Sequence, residues 1–79
     1  MKQTNDKVRI VKVFLDWFEG NPEGTEFKLT DMITHARNRT TLYYRLDDTF
    51  RRYLFELREL GLINFKSIKK SQSLYKTVK

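Results

Sequence analysis

Between residues 40 and 63 the chain reads TTLYYRLDDTFRRYLFELRELGLI, and this stretch constrains the fold most. Leu42, Tyr43, Leu46, Phe50, Tyr53, Leu54, Leu57 and Leu60 recur at steps of three and four. That is the period of one side of an α-helix. Asp47 precedes Arg51, and Asp48 precedes Arg52, each at the i,i+4 spacing that supports a helix by a few tenths of a kcal/mol. The pattern therefore favours one long helix from Thr41 to Leu60, with Thr40 or Thr41 as its cap. The rival is a shorter helix starting near Thr49 and capped by Asp47 or Asp48. Gly61 stands where a helix needs a left-handed residue after its last turn, and Leu62 can fold back onto that turn. The opposite face of this segment mixes Thr41, Tyr44, Arg45, Asp48, Arg51, Arg52 and Phe55, an unusual blend for a merely solvated surface.

The rest of the chain is arranged around this segment. Residues 1–5 are polar and expected to fray. Asp6 suits an N-cap, which predicts a first helix to Glu19, stopped by Gly20 and the turn GNPEG. That helix is unusually apolar. Val8, Val11, Phe14, Leu15 and Phe18 form one stripe, and Ile10, Val13 and Trp17 form a second. Either its own domain covers both stripes, or Ile10, Val13 and Trp17 meet another copy of the chain. EFKL predicts a minor strand. Thr30 is the expected cap of a second helix, DMITHARN, with Asp31 at its positive end and Met32, Ile33 and Ala36 inward. LINFKSI and LYKTVK flank the polar KKSQS, the signature of a β-hairpin. The expected class is α+β, mainly α: three helices with a short strand and a C-terminal hairpin, in one domain spanning residues 1–79.

Charge narrows the function. The net charge is +6, but residues 1–34 sum to about −1 and residues 35–79 to about +7. From Leu62 onward there are five lysines and no acid. Such asymmetry points to a polyanion, with nucleic acid ahead of an acidic protein or membrane surface. No apolar run approaches the roughly 20 residues of a membrane span, and no signal-peptide core opens the chain, so a cytoplasmic protein is expected. With no cysteine and the single histidine His35, neither a disulfide nor a zinc site is expected. No phosphate-binding glycine loop, HExxH or nucleophile elbow is present, and adjacent Asp47 and Asp48 would point about 100° apart on a helix. Catalysis, a cofactor and a small-molecule effector are therefore not expected.

The order helix, strand, helix, turn, helix, hairpin resembles the winged helix-turn-helix superfamily over about residues 6 to 79, most specifically in YLFELRELGLINFKSI. EFKLTDMI is similar to its short first strand feeding the second helix, and LYKTVK to its returning wing strand. The chain departs from compact members in being longer between Thr30 and Gly61, around YYRLDD. The resemblance implies a sequence-specific double-stranded DNA-binding protein without cofactor, a small transcriptional regulator. Members often bind as homodimers, for which Ile10, Val13 and Trp17 are the candidate surface. It implies that the third helix enters the major groove, with Arg39, Thr40, Thr41, Tyr44, Arg45, Arg51, Arg52 and Phe55 toward DNA. The wing tip Lys69, Lys70, Ser71 and Gln72 would reach the flanking backbone. Two other readings stand beside it. One is a protein-binding winged helix, such as a viral or plasmid accessory factor. The other is an RNA-binding or replication-initiation module.

Overall fold

A computed structural model describes residues 2–78, with side chains from Asp6 onward. Helix α1 spans Lys2–Gly20, strand β1 Glu26–Lys28, helix α2 Leu29–Thr40 and helix α3 Asp47–Glu59. Strand β2, Phe65–Lys69, and strand β3, Leu74–Thr77, are joined by a single 3-10 turn at Lys70–Gln72. The class is α+β, mainly α, with the expected C-terminal hairpin. The antiparallel sheet has the order β1-β3-β2, so the last strand lies in the middle. No described helix is long and apolar enough to cross a membrane.

The first helix starts earlier than the capping signal predicts. Residues 2–5 already belong to α1, and Asp6 lies inside it rather than capping it. The two apolar stripes of α1 converge on one buried line, Ile10 and Phe14, flanked by half-buried Val11, Val13, Trp17 and Phe18. The chain itself covers most of both sides, because α1 packs against α2 and α3, but Val8 of the first stripe stays 58% exposed. Ile10 has no exposed surface, so it cannot serve the dimer interface expected of it. Of that stripe, only Val13 and Trp17 retain partial exposure.

In α2, Leu29, Met32, Ile33, Ala36 and Thr40 are buried along one side. The helix begins one residue before the expected cap, with Lys28 extended and Thr30 inside the first turn. Its first amide is satisfied from a distance: Leu29 N–H donates to the Ser73 carbonyl at 3.0 Å. At the other end, the Thr40 hydroxyl donates to the Ala36 carbonyl at 2.8 Å, and Thr41 turns left-handed with φ 58°.

Here the structure overturns the long third helix. Residues 41–46 form a turn, closed by Arg45 N–H on the Leu42 carbonyl at 3.2 Å, and Leu46 is extended with ψ 152°. Helix α3 begins only at Asp47, close to the shorter alternative, with Leu46 as its cap. The apolar periodicity survives the break because Leu42 still reaches the core from the turn. Tyr43 and Leu46, on the same supposed stripe, are 63% and 74% exposed. From α3 itself, Phe50, Leu54 and Leu57 are buried.

The end of α3 follows expectation. Gly61 has φ +79°, its N–H donates to the Arg58 carbonyl at 3.0 Å, and Leu62 N–H reaches the Leu57 carbonyl at 3.1 Å. These two bonds satisfy carbonyls that the helix end leaves open. The Leu62 side chain does not pack back; it is 60% exposed. A Cβ at Gly61 would meet nothing within 4 Å, so only backbone strain opposes substitution. Gly61→Ala should therefore cost about 1–2 kcal/mol of stability, read as a shifted midpoint in urea unfolding.

An aromatic cluster joins sheet to helices. The ring of Phe65 lies 5.3–5.9 Å from those of Phe18, Phe27, Phe55 and Tyr75. Trp17 and Phe18 of α1 also meet Phe27 edge-on. All of these rings lie on the inner face of the sheet, against α1 and α3.

Candidate nucleic-acid interface

The residues expected to face DNA divide into three groups. The first group is consumed by structure. Thr40 is 2% exposed, with its hydroxyl turned to its own helix. Phe55 packs half-buried against Phe65 and Tyr75 at 5.3 and 6.2 Å. Arg45 lies in the turn before α3, and its guanidinium is engaged on α1: Nη2 and Nε donate to Asp6 Oδ2 at 2.7 and 3.2 Å. The same oxygen accepts the Tyr44 hydroxyl at 2.6 Å. None of these three side chains is available as a base reader without rearrangement.

The Asp6–Tyr44–Arg45 cluster explains why residues 41–46 do not continue the helix. Arg37 strengthens the break by donating to the Arg45 carbonyl at 3.0 Å and pairing with Asp47, while Arg9 donates to the Thr40 carbonyl. Five contacts thus clamp the turn between α1 and α2. Asp6 is 8% exposed, and its carboxyl is held below the ordinary carboxylate value of 3.8 by the Tyr44 and Arg45 hydrogen bonds. Burial opposes this shift but is the weaker effect. The Tyr44 hydroxyl is correspondingly held above its ordinary 10.0, chiefly by Asp6.

A carboxyl depressed in the folded state binds fewer protons there than in the unfolded chain. Its contribution is present above pH 3.8 and is lost as pH falls through the folded value. Tyr44 contributes below pH 10.0, and loses that contribution on alkaline titration. Asp6→Asn should lower the thermal midpoint at neutral pH more than Lys12→Ala, which removes only an exposed i,i+4 pair. It should also shallow the loss of stability on acidification below pH 3.8. Asp48, depressed by its hydrogen bond to Arg51, remains in both proteins, so the difference between their acid limbs isolates Asp6.

The second group stays exposed at the start of α3. Arg51 pairs with Asp48 at i,i+3, instead of with Asp47, and Asp47 reaches Arg37 on α2. Arg52 is exposed, its guanidinium 5.9 Å from the Tyr53 ring centroid. Asp47 and Asp48 stabilise the positive end of α3 but occupy the place where a phosphate would otherwise bind. With Glu56, Arg58 and Glu59 included, the charge of α3 sums to −1. Arg39 and Thr41 are also exposed, at the end of α2 and just beyond it. The third group, Lys69, Lys70, Ser71 and Gln72, is exposed along the hairpin tip as expected.

The sequence placed Tyr43 and Leu46 on the core stripe, but they join Tyr44 as an exposed trio on the turn. Tyr43, Tyr44 and Leu46 present large side chains to solvent, with Tyr44 70% exposed despite its bond to Asp6. The sequence reading missed Asp6, although this is the only acid in the first fifteen residues, a hint that it answers a distant cation. His35 lies half-buried beside Arg39, and its pKa is lowered by burial first and by the arginine second. Among the described residues, no group of three or more His, Cys, Asp or Glu could hold a metal ion.

Comparison with protein-family models, with curated proteins and with solved structures gave no match.

Proposed function

We propose that this chain is a double-stranded DNA-binding protein of the winged helix-turn-helix kind, acting as a small transcriptional regulator in the cytoplasm. The observation that carries the reading is that exposed arginines on α3 are followed in the chain by a hairpin whose exposed tip lysines make no ion pair among the described residues. Arg51 and Arg52 lie on the solvent side of α3, and Lys69 and Lys70 lie on the hairpin that follows it. The fold order supports the same reading: α2, a turn, α3, then an antiparallel hairpin. In this reading Arg52, with Thr49 and Arg51, approaches base edges, and the hairpin tip holds phosphates. Arg45 positions the turn.

A protein-binding role is the second reading, favoured by two observations. The α3 surface is nearly neutral, and Tyr43, Tyr44 and Leu46 are exposed beside it. Substitution separates the two. Lys69→Ala with Lys70→Ala should weaken all duplexes about equally and reduce the slope of log affinity on log salt by roughly 1–2. Arg52→Ala should cost about 1–3 kcal/mol at a site selected from random duplexes, and much less on unselected DNA. Binding unchanged by all three substitutions would move the function to the Tyr43, Tyr44 and Leu46 surface.

A further inference from the structure

The sheet has an inner face built of aromatics and an outer face built of lysines. Antiparallel register fixes which residues share a face, because directly opposed residues point the same way. Phe27, Tyr75 and Ser67 lie in one row across the three strands, on the inner side. Glu26, Lys76 and Lys66 lie in the next row, on the outer side. Lys28, Leu74 and Lys69 complete the outer face. Lys28, Lys66 and Lys69 are exposed, and Lys76 is partly so. Four lysines therefore face solvent with one acid among them, and none makes an ion pair among the described residues; Lys69 is shared with the hairpin tip, which leaves Lys28, Lys66 and Lys76 to this face alone.

The placement of Lys66 directly opposite Lys76 is informative. Like charges opposed across two strands are destabilising, and a hairpin concerned only with its own stability would avoid them. The pair makes sense where an anion lies across both ammonium groups. The nature of that anion follows from what the face lacks. Sequence-tolerant single-strand binders stack bases on exposed aromatics. Here Phe27, Phe65 and Tyr75 all point inward, and the outer face carries no aromatic ring. Lysine, a mobile point charge without a planar fork, suits phosphate rather than a base edge. Charge and chemistry together match the backbone of a duplex.

We infer that the outer face of the sheet, through Lys28, Lys66 and Lys76, is a second phosphate-binding surface that holds a second duplex segment. The inference rests on the duplex-binding reading of α3 and the hairpin tip. Phe55 of α3 packs on the inner face, so the outer face points away from α3. A straight duplex lying on α3 leaves this lysine face open to another segment. One chain then bridges two pieces of DNA, one held at α3 and one held through its backbone alone.

A two-duplex capture assay tests this. A short biotinylated duplex on beads is loaded with the protein, and a fluorescent duplex of unrelated sequence is added. Wild type should be retained on the beads and should capture the fluorescent duplex. Lys28→Ala/Lys66→Ala/Lys76→Ala should be retained within about twofold of wild type, while capture falls about tenfold. Its thermal midpoint should be unchanged or higher, since the Lys66–Lys76 repulsion is gone. Capture that persists in the triple variant overturns the inference, as it would if bridging came from a dimer. Equal loss of retention and capture also overturns it, by making the sheet part of one continuous surface. Wild type that is retained but captures no second duplex refutes the second surface alone. Wild type that is not retained at all refutes the duplex-binding reading, and the second surface with it.

Discussion

Phe65→Ala is expected to lower the free energy of unfolding by about 3–5 kcal/mol. Phe65 is 2% exposed and its ring touches four others, from α1, β1, α3 and β3. Its removal leaves a void that four rigid rings cannot collapse to fill. It also removes the surface on which the Arg58 guanidinium lies, 4.6 Å from the ring centroid. A domain of this length has a total stability of roughly 4–12 kcal/mol, so the loss approaches the whole at the lower end. Urea unfolding followed by Trp17 fluorescence should show the midpoint collapse toward zero. Leu62→Ala, at a nearby exposed position, should stay within about 0.5 kcal/mol of wild type. Similar effects for the two would mean that the aromatic cluster does not hold sheet to helices.

Features set by neighbours in sequence were legible, and features set by distant partners were not. The Gly61 stop, the three-residue β1 and the lysine-tipped hairpin each follow from local chemistry: a left-handed residue, a short apolar alternation, a polar tip between β-formers. The break at residues 41–46 has no such local mark. Spacing at three and four identifies residues that reach one core, and Leu42 does so from a turn as well as from a helix. What selects the turn is Asp6, 39 positions from Arg45, together with Arg37 bound to Asp47. The same distance effect misassigned the ion pairs. Asp47 and Asp48 both have an arginine at i+4, yet Asp47 pairs across to α2 and Asp48 reaches back only to i+3. For the candidate site, the exposed arginines and the hairpin lysines could be read from sequence. Arg45, Thr40 and Phe55 could not be excluded from it, since burial and long-range pairing decide their availability. The lysine face of the sheet was equally hidden, because it exists only once β1 and β2 flank β3.

Duplex binding is expected to depend strongly on salt. Backbone contacts by lysine and arginine release condensed counterions from a duplex, so affinity falls steeply with salt. On the proposed reading, the exposed hairpin lysines and α3 arginines would supply several such contacts. Fluorescence anisotropy of a labelled random-sequence duplex, titrated with the wild-type chain at a series of salt concentrations, measures this directly. With about six phosphates neutralised, affinity should fall roughly a thousandfold between about 50 and 200 mM salt, along a straight line in log affinity against log salt. A flat salt response, or no binding at the lowest salt, would contradict the duplex-binding account.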